Sequence, residues 1–349
     1  MARLTIAVDA MGGEHAPAVV IRGLDIAHKR HPDASFLLFG DEKRIQPLLQ
    51  RRSAILDRCE IRHTDVAVSD HDKPSVALRS ARQSSMRLAI DAVAQGDAAG
   101  VISAGNTGAL MAMAKIVLKT LPGIDRPAIA SLVPTKRGES VMLDLGANIQ
   151  CDANNLFQFA LLGEVFARTV LGLKRPRVGL LNVGEEDMKG HEVLRDASAL
   201  LRAPGLPILF EGFIEGDDVW EGTVDVAVTD GFTGNVALKT AEGLARLYSG
   251  LLRAAFQSSL ASKLGYLLAR PALNKVRQRL DPRRYNGAMF LGLNGIAVKS
   301  HGGTDAFGFA NAVGVAIDMV ANGFNDKIIQ ELKSAQTQAA AAPQQAAAS

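Results

Sequence analysis

What the chain lacks narrows its chemistry. Its 349 residues include two cysteines, Cys59 and Cys151, and neither has a second cysteine or a histidine at zinc-ligand spacing, so neither a disulfide framework nor a zinc site is expected. Both read as small buried residues in reducing surroundings. No run of eighteen apolar residues occurs, which predicts no membrane-spanning helix, and the opening MARLTIAVDAMGG enters a strand too soon to read as a secretory signal. There is no GxSxG elbow, no HExxH, no GxxxxGK[ST] loop and no GxGxxG after the first apolar run. Serine hydrolases, zinc proteases, P-loop enzymes and Rossmann dinucleotide enzymes are thereby set aside. Neither cysteine stands in a glycine turn beside a base, which argues against a thiol nucleophile.

Acids are scarce in one place. The formal net charge is only +3, but the stretch Gly243 to Arg284 holds nine basic residues and a single acid, Asp281. The basic character is therefore a local patch, and nucleic acid is not an expected partner. Leu244, Leu247, Leu251, Leu260, Leu264, Leu267 and Leu268 recur among those cations at roughly helical spacing. Such a cationic apolar stretch, at about 244–284, can lie on a membrane, grip an acidic partner or bury against a second subunit. Pro271 is expected to break or kink it, giving two helices or a helical hairpin. The candidate contact residues are Arg253, Lys263, Arg270, Lys275 and Arg277.

What is present is a set of glycine- and asparagine-rich turns, each after an apolar run: VDAMGG (8–13), SAGNTG (103–108), LDLGAN (143–148), NVGEE (182–186), TDGFTGN (229–235) and KSHGG (299–303). Glycine admits close backbone approach, and helix-start amides hold anions. Strand-like runs at 4–9, 36–39, 100–103, 129–133, 141–145, 178–182, 208–210, 224–229 and 296–299 alternate with helix-period stretches. That alternation predicts a three-layer α/β/α sandwich around a mixed, mostly parallel sheet. The short connection between 129–133 and 141–145 predicts a hairpin. With no linker or repeat, residues 1–333 read as one domain, followed by a disordered Ala/Gln-rich tail over 334–349.

If all six turns follow parallel strands, they gather in a single cleft at the carboxyl edge of the sheet. Its cations, amides and neutral donors suit phosphate or another small oxyanion. Asp9, Asp144, Asp230 and Asp305, at strand ends or turn starts, could orient lysines, cap helices or bind a divalent metal. His301 lies inside a glycine turn and could bind phosphate or donate a proton.

The ordered series DAMGGxxAP, SAGNTGALM, LDLGAN, NVGEExxKG, DGFTGNVxLKT, YNGAxxLGL and KSHG, spread over roughly Arg3 to Ala321, resembles the bacterial phosphate acyltransferases of phospholipid synthesis, the PlsX family. The resemblance implies an isocitrate/isopropylmalate dehydrogenase-like fold and transfer of a long-chain acyl group from acyl-carrier protein to inorganic phosphate. Acyl phosphate then passes to a membrane glycerol-3-phosphate acyltransferase. It also implies a cytoplasmic homodimer in peripheral contact with the inner face of the membrane, with no metal and no organic cofactor.

Carried over by motif, the expected catalytic residues are Lys189, Asn235, Lys239, His301 and Asp230, with Asp230 orienting Lys239. Gly12, Gly13, Asn106, Thr107, Gly108, Asn148, Asn182, Glu185 and Lys299 are expected to bind substrate or phosphate, and Asn106 or Asn235 to stabilise the tetrahedral oxyanion. One departure stands out. Glu14 follows DAMGG where the family pattern has aspartate, so the carboxylate either caps the next helix or positions a lysine with a longer reach. A transacylase of the same fold acting on short-chain acyl-coenzyme A is the alternative.

Overall fold

The computed structural model describes residues 4–334 apart from 205 and 207. Beyond Ser334 the expected tail lies outside the described residues. In chain order the strands are β1 (Thr5–Asp9), β2 (Ser35–Gly40), β3 (Cys59–His63), β4 (Gly100–Ser103), β5 (Ala128–Pro134), β6 (Glu139–Leu143), β7 (Arg177–Leu181), β8 (Leu209–Ile214), β9 (Val226–Val228), β10 (Ala288–Leu291) and β11 (Ile296–Lys299). The helices are α1 (Ala18–Arg30), α2 (Glu42–Gln50), α3 (Ser53–Leu56), α4 (Pro74–Ser80), α5 (Ser85–Ala94), α6 (Thr107–Leu118), α7 (Ala153–Val170), α8 (Glu192–Leu201), α9 (Asp218–Glu221), α10 (Gly231–Gln257), α11 (Leu260–Arg279) and α12 (Ala306–Ala321).

All the strands join one sheet in the order β3-β2-β1-β4-β11-β10-β5-β6-β9-β7-β8. Alternate strand residues face opposite sides, and each side has its own core. Ile6 and Val8 of β1 belong to one core and Ala7 to the other; Val141 and Leu143 of β6 part from Met142 in the same way. The first core lies under α1, α7, α8 and α12, the second under α5 and α6. Burial on both faces explains why the strands read as unbroken apolar runs. This is the expected α/β/α sandwich.

Strand direction is where the structure departs from expectation. The hairpin forms: β6 runs antiparallel to β5, pairing Ala130 with Leu143 and Pro134 with Glu139. Strands β1, β2, β3, β4 and β11 run parallel to one another, β10 opposes both β11 and β5, and β9, β7 and β8 follow β6. The sheet thus has two halves of opposite polarity. The carboxyl ends of β1, β4 and β11 lie at one edge, and those of β6, β7 and β9 at the other.

Two strands went unpredicted, β3 and β10. The basic segment does form two helices, but the break falls at Ser258 and Ser259, where Ser259 caps α11 by accepting from Ser262 N. Pro271 sits inside α11, because the first unsatisfied turn, where a serine can cap, ends a helix more readily than a ring that a kink accommodates.

Candidate active site

The glycine turns form two groups, not one cleft. At the first edge, the turns after β1, β4 and β11 pack on each other. Gly12 is buried, and a Cβ there would stand 2.5 Å from Asp9 Oδ2 and 2.6 Å from Gly105 N. Gly13, at φ +96°, lies against Gly302 O, and Glu14 N donates to the same carbonyl at 3.0 Å. The cavity left between these turns and α1 is about 10 Å³, room for one water. That is too small for an oxoanion.

Asp9 anchors this edge from below. Its carboxylate is buried and accepts from Ser85 Oγ and Ser103 Oγ, each at 2.6 Å, and from Met11 N at 3.3 Å. Burial raises its pKa, opposed by the two hydroxyls and the turn amides. Ser103 Oγ in turn accepts from Gly105 N at 3.0 Å.

Lys299, the last residue of β11, is the exceptional group. It is 8% exposed, and its Nζ donates to Ala104 O at 3.2 Å and to Ser300 O. No carboxylate forms an ion pair with it among the described residues. Burial pushes its pKa down to about 8, offset in part by the more distant Asp70 and Asp9. A buried ammonium held only by carbonyls is an unmatched charge that an anion would complete. Three residues beyond Ala104, the first-turn amides of α6, at Thr107 and Gly108, have no intrahelical acceptor. His301 is exposed, and its Nδ1 accepts from Gly303 N at 3.1 Å, so neutral imidazole carries its proton on Nε2, free to face a ligand.

Asn286 ties the edge together, donating to Ser300 Oγ at 2.9 Å and accepting from His301 N at 2.9 Å. Sequence reasoning missed it, although it stands in the quoted YNGA motif. Ser85 was missed as well, with no local signal to find it.

At the opposite edge Asp144 plays the anchoring part. Wholly buried, it accepts from the amides of Ile129, Gly146, Ala147 and Asn148 and from Asn148 Nδ2, at 2.7–3.2 Å. Burial raises its pKa against those donors. Asp230 caps α10 through Thr233 N and Thr233 Oγ1, at 2.9 and 2.8 Å. It does not orient Lys239, which pairs with Glu242 at 2.9 Å. Lys189 is exposed and pairs with Glu186 at 3.7 Å, and Glu185 is exposed too. These residues, with Asn148, Asn182 and Asn235, are not brought beside Lys299 within one chain.

The partners of the asparagines bear on their expected role. Asn106 caps α6 through Ala109 N at 3.0 Å and donates to the carbonyls of Ser69, Asp70 and Asp72. Asn235 donates to Leu145 O, Asn148 to Pro127 O, and Asn182 to Lys189 O. Asn106 thus has no N–H left for an oxyanion, whereas Asn235, with one of its two amide N–H groups on Leu145 O, keeps the other. Glu14 does not cap α1, whose N-cap Pro17 lacks a side-chain bond; its carboxylate lies against Gly303. Cys59 and Cys151 are partly exposed rather than buried, with thiols pushed up to about 12 by burial. Among the described residues no group of three or more His, Cys, Asp or Glu is placed to hold a metal ion.

The second distinctive surface is the α10–α11 pair. Leu260 and Leu268 are 84% and 78% exposed, and no residue of α11 is buried. Among the described residues Arg253, Lys263, Arg270, Lys275 and Arg277 have no carboxylate partner.

Comparison with known proteins agrees with this picture. Residues 4–327 match the family described as fatty acid synthesis protein. The phosphate acyltransferase of Rhodospirillum rubrum is 66% identical over 333 residues, covering 95% of each chain, and that of Paramagnetospirillum magneticum is 62% identical over 330 residues, covering 95% of this chain and 94% of the relative. Among solved structures, a phosphotransacetylase from Streptococcus pyogenes superposes with a TM-score of 0.60 at 16% identity, and the EutD phosphotransacetylase from Staphylococcus aureus with 0.59 at 16%; each match covers 91% of this chain and 94% of the other. The last two establish a shared fold. With its motifs, its fold and relatives at this identity all in accord, the chain belongs to the phosphate acyltransferase (PlsX) family.

Proposed function

We propose that the chain transfers a long-chain acyl group from acyl-carrier protein to inorganic phosphate, giving acyl phosphate for phosphatidic acid synthesis. The observation that carries this reading is the buried, unpaired ammonium of Lys299 beside the free amides of α6. Phosphate binds there, its charge matched by Lys299 and its oxygens by the Thr107 and Gly108 amides and His301 Nε2–H. Held against the thioester, a phosphate oxygen attacks the carbonyl carbon. The same donors then stabilise the tetrahedral oxyanion, which collapses with loss of the carrier's thiolate. A thiolate leaves readily, so no strong general acid is needed. Asp9, through Ser85, Ser103 and the Gly12 turn, keeps the cradle in shape.

The α10–α11 pair supports the remaining partners. Its exposed leucines suit peripheral membrane contact at the cytoplasmic face and a second copy of the chain, and its unpaired cations suit an acidic carrier protein. The product then passes to a membrane acyltransferase. The short-chain reading draws on the phosphotransacetylase likeness but leaves the leucine-rich basic pair without a role. Purified protein mixed with palmitoyl-acyl-carrier protein and phosphate is expected to yield palmitoyl phosphate, with little phosphorolysis of acetyl-coenzyme A. The reverse preference would overturn the long-chain reading.

A further inference from the structure

A second polar cavity opens at the Lys299 edge. It measures about 360 Å³ and is lined by Gly138, Glu139, Lys275, Gln278, Arg279, Arg284 and Tyr285. Its place follows from the register. Ala288, at the start of β10, pairs with Lys299 at the end of β11, and Tyr285 precedes Ala288 by three residues, on the order of 10 Å along an extended chain. Gly138 and Glu139 begin β6, whose amino end shares this edge. Asn286 links the two places directly, since it follows Tyr285 and holds Ser300 Oγ and His301 N.

The charge of the cavity is lopsided. Lys275, Arg279 and Arg284 face a single carboxylate, Glu139. Arg279 is fixed, donating to Thr135 O at 2.8 Å and to Lys136 O, while Tyr285 Oη donates to Arg279 O at 2.6 Å. The wall is therefore braced at Arg279 and Tyr285. Lys275 and Arg284 form no side-chain ion pair among the described residues, so their charges are available. Two free cations and one braced guanidinium suit a phosphate ester, whose oxygens accept from several donors at once. The volume exceeds that of a bare phosphate and leaves room for the carbons on either side.

We propose that this cavity binds the phosphodiester of the donor's pantetheine arm, so that the arm runs along the sheet edge and delivers its thioester to Lys299. The proposal rests on the reading of the function given above. It gives Lys275, at the foot of α11, a role distinct from the apolar face: carrier docking along α11 and arm binding at its carboxyl end form one continuous track.

The test compares 4′-phosphopantetheine with pantetheine by calorimetric titration, using the full chain and the double variant Lys275→Gln/Arg284→Gln. Arg279 is left intact because it holds the β5–β6 turn. The phosphorylated arm is expected to bind the native protein at least tenfold more tightly than pantetheine, and the variant should lose that advantage. In phosphorolysis the variant's KM for palmitoyl-acyl-carrier protein should rise at least tenfold, with kcat and the KM for phosphate unchanged. Equal binding of the two arms, or a variant that keeps the preference, would overturn the proposal. So would competition by inorganic phosphate as effective as that by the arm, or loss of phosphatidic acid vesicle binding in a variant whose arm binding is intact. Arm binding that depends on these residues in a protein that makes no acyl phosphate would sink the functional reading while leaving the subsite standing.

Discussion

Replacing Lys299 by methionine separates the cost of a buried charge from its use. Burial lowers its pKa from 10.5 to about 8. As pH falls, the unfolded chain takes up this proton near the ordinary lysine value, whereas the folded protein does so only below about 8. The penalty is therefore absent at very high pH and complete below about 8. At about 1.4 kcal/mol per pKa unit it is about 3.5 kcal/mol at neutrality. Methionine keeps the stem and removes the charge, leaving Ala104 O and Ser300 O without a donor, a loss that does not vary with pH. The stability difference between variant and native protein is thus expected to shift by about 2–3 kcal/mol in the variant's favour from pH 10 to pH 7, read by urea denaturation. Phosphate at about 100 times its Kd should stabilise the native protein by about 2.7 kcal/mol and the variant by far less. Acyl phosphate formation should fall by about 10²–10³-fold. A stability difference flat in pH, or equal stabilisation by phosphate, would refute the argument.

Two further substitutions probe the opposite edge. Gly234→Ala would bring a Cβ to 2.0 Å from Asp144 O, so the start of α10 must move off the Asp144 turn; a loss of about 1–3 kcal/mol or more is expected in urea denaturation, and an unchanged midpoint would contradict the packing described. Lys189→Ala removes an exposed residue paired only with Glu186, and should change stability by no more than about 0.5 kcal/mol and phosphorolysis far less than Lys299→Met does. A loss of activity as deep as that of Lys299→Met would mean instead that the two edges meet across two copies of the chain.

Much of the fold was legible because doubly buried strands and their glycine turns leave strong local marks. The hairpin at β5–β6 was visible in its short polar connection, and the buried strands of both halves in their apolar runs. β3 escaped because its sequence, CEIRH, alternates polar residues on an edge strand, and β10 because AMFL is short and follows a glycine. The turn residues were found, but their grouping was not. An apolar run reads the same whichever way the strand points, so direction had to come from connectivity. The hairpin already carried that information: once β6 reverses against β5, every strand parallel to β6 ends at the far edge. Asn106 misled for a related reason, since a residue type that can donate to a ligand donates equally well to a neighbouring carbonyl. Lys299 was named from its motif, but its burial against Ala104 O, a residue 195 positions away, leaves no mark in the local sequence.

The helical pair beyond Gly243 has a consequence for the rest of the molecule. Because α11 buries none of its side chains and meets the body chiefly where Arg279 grips the β5–β6 turn, it behaves as an outrigger rather than a keel. Its exposed leucines can be exchanged for other residues without disturbing the sheet. The face that α11 offers to a partner can therefore diverge without any repacking of the core.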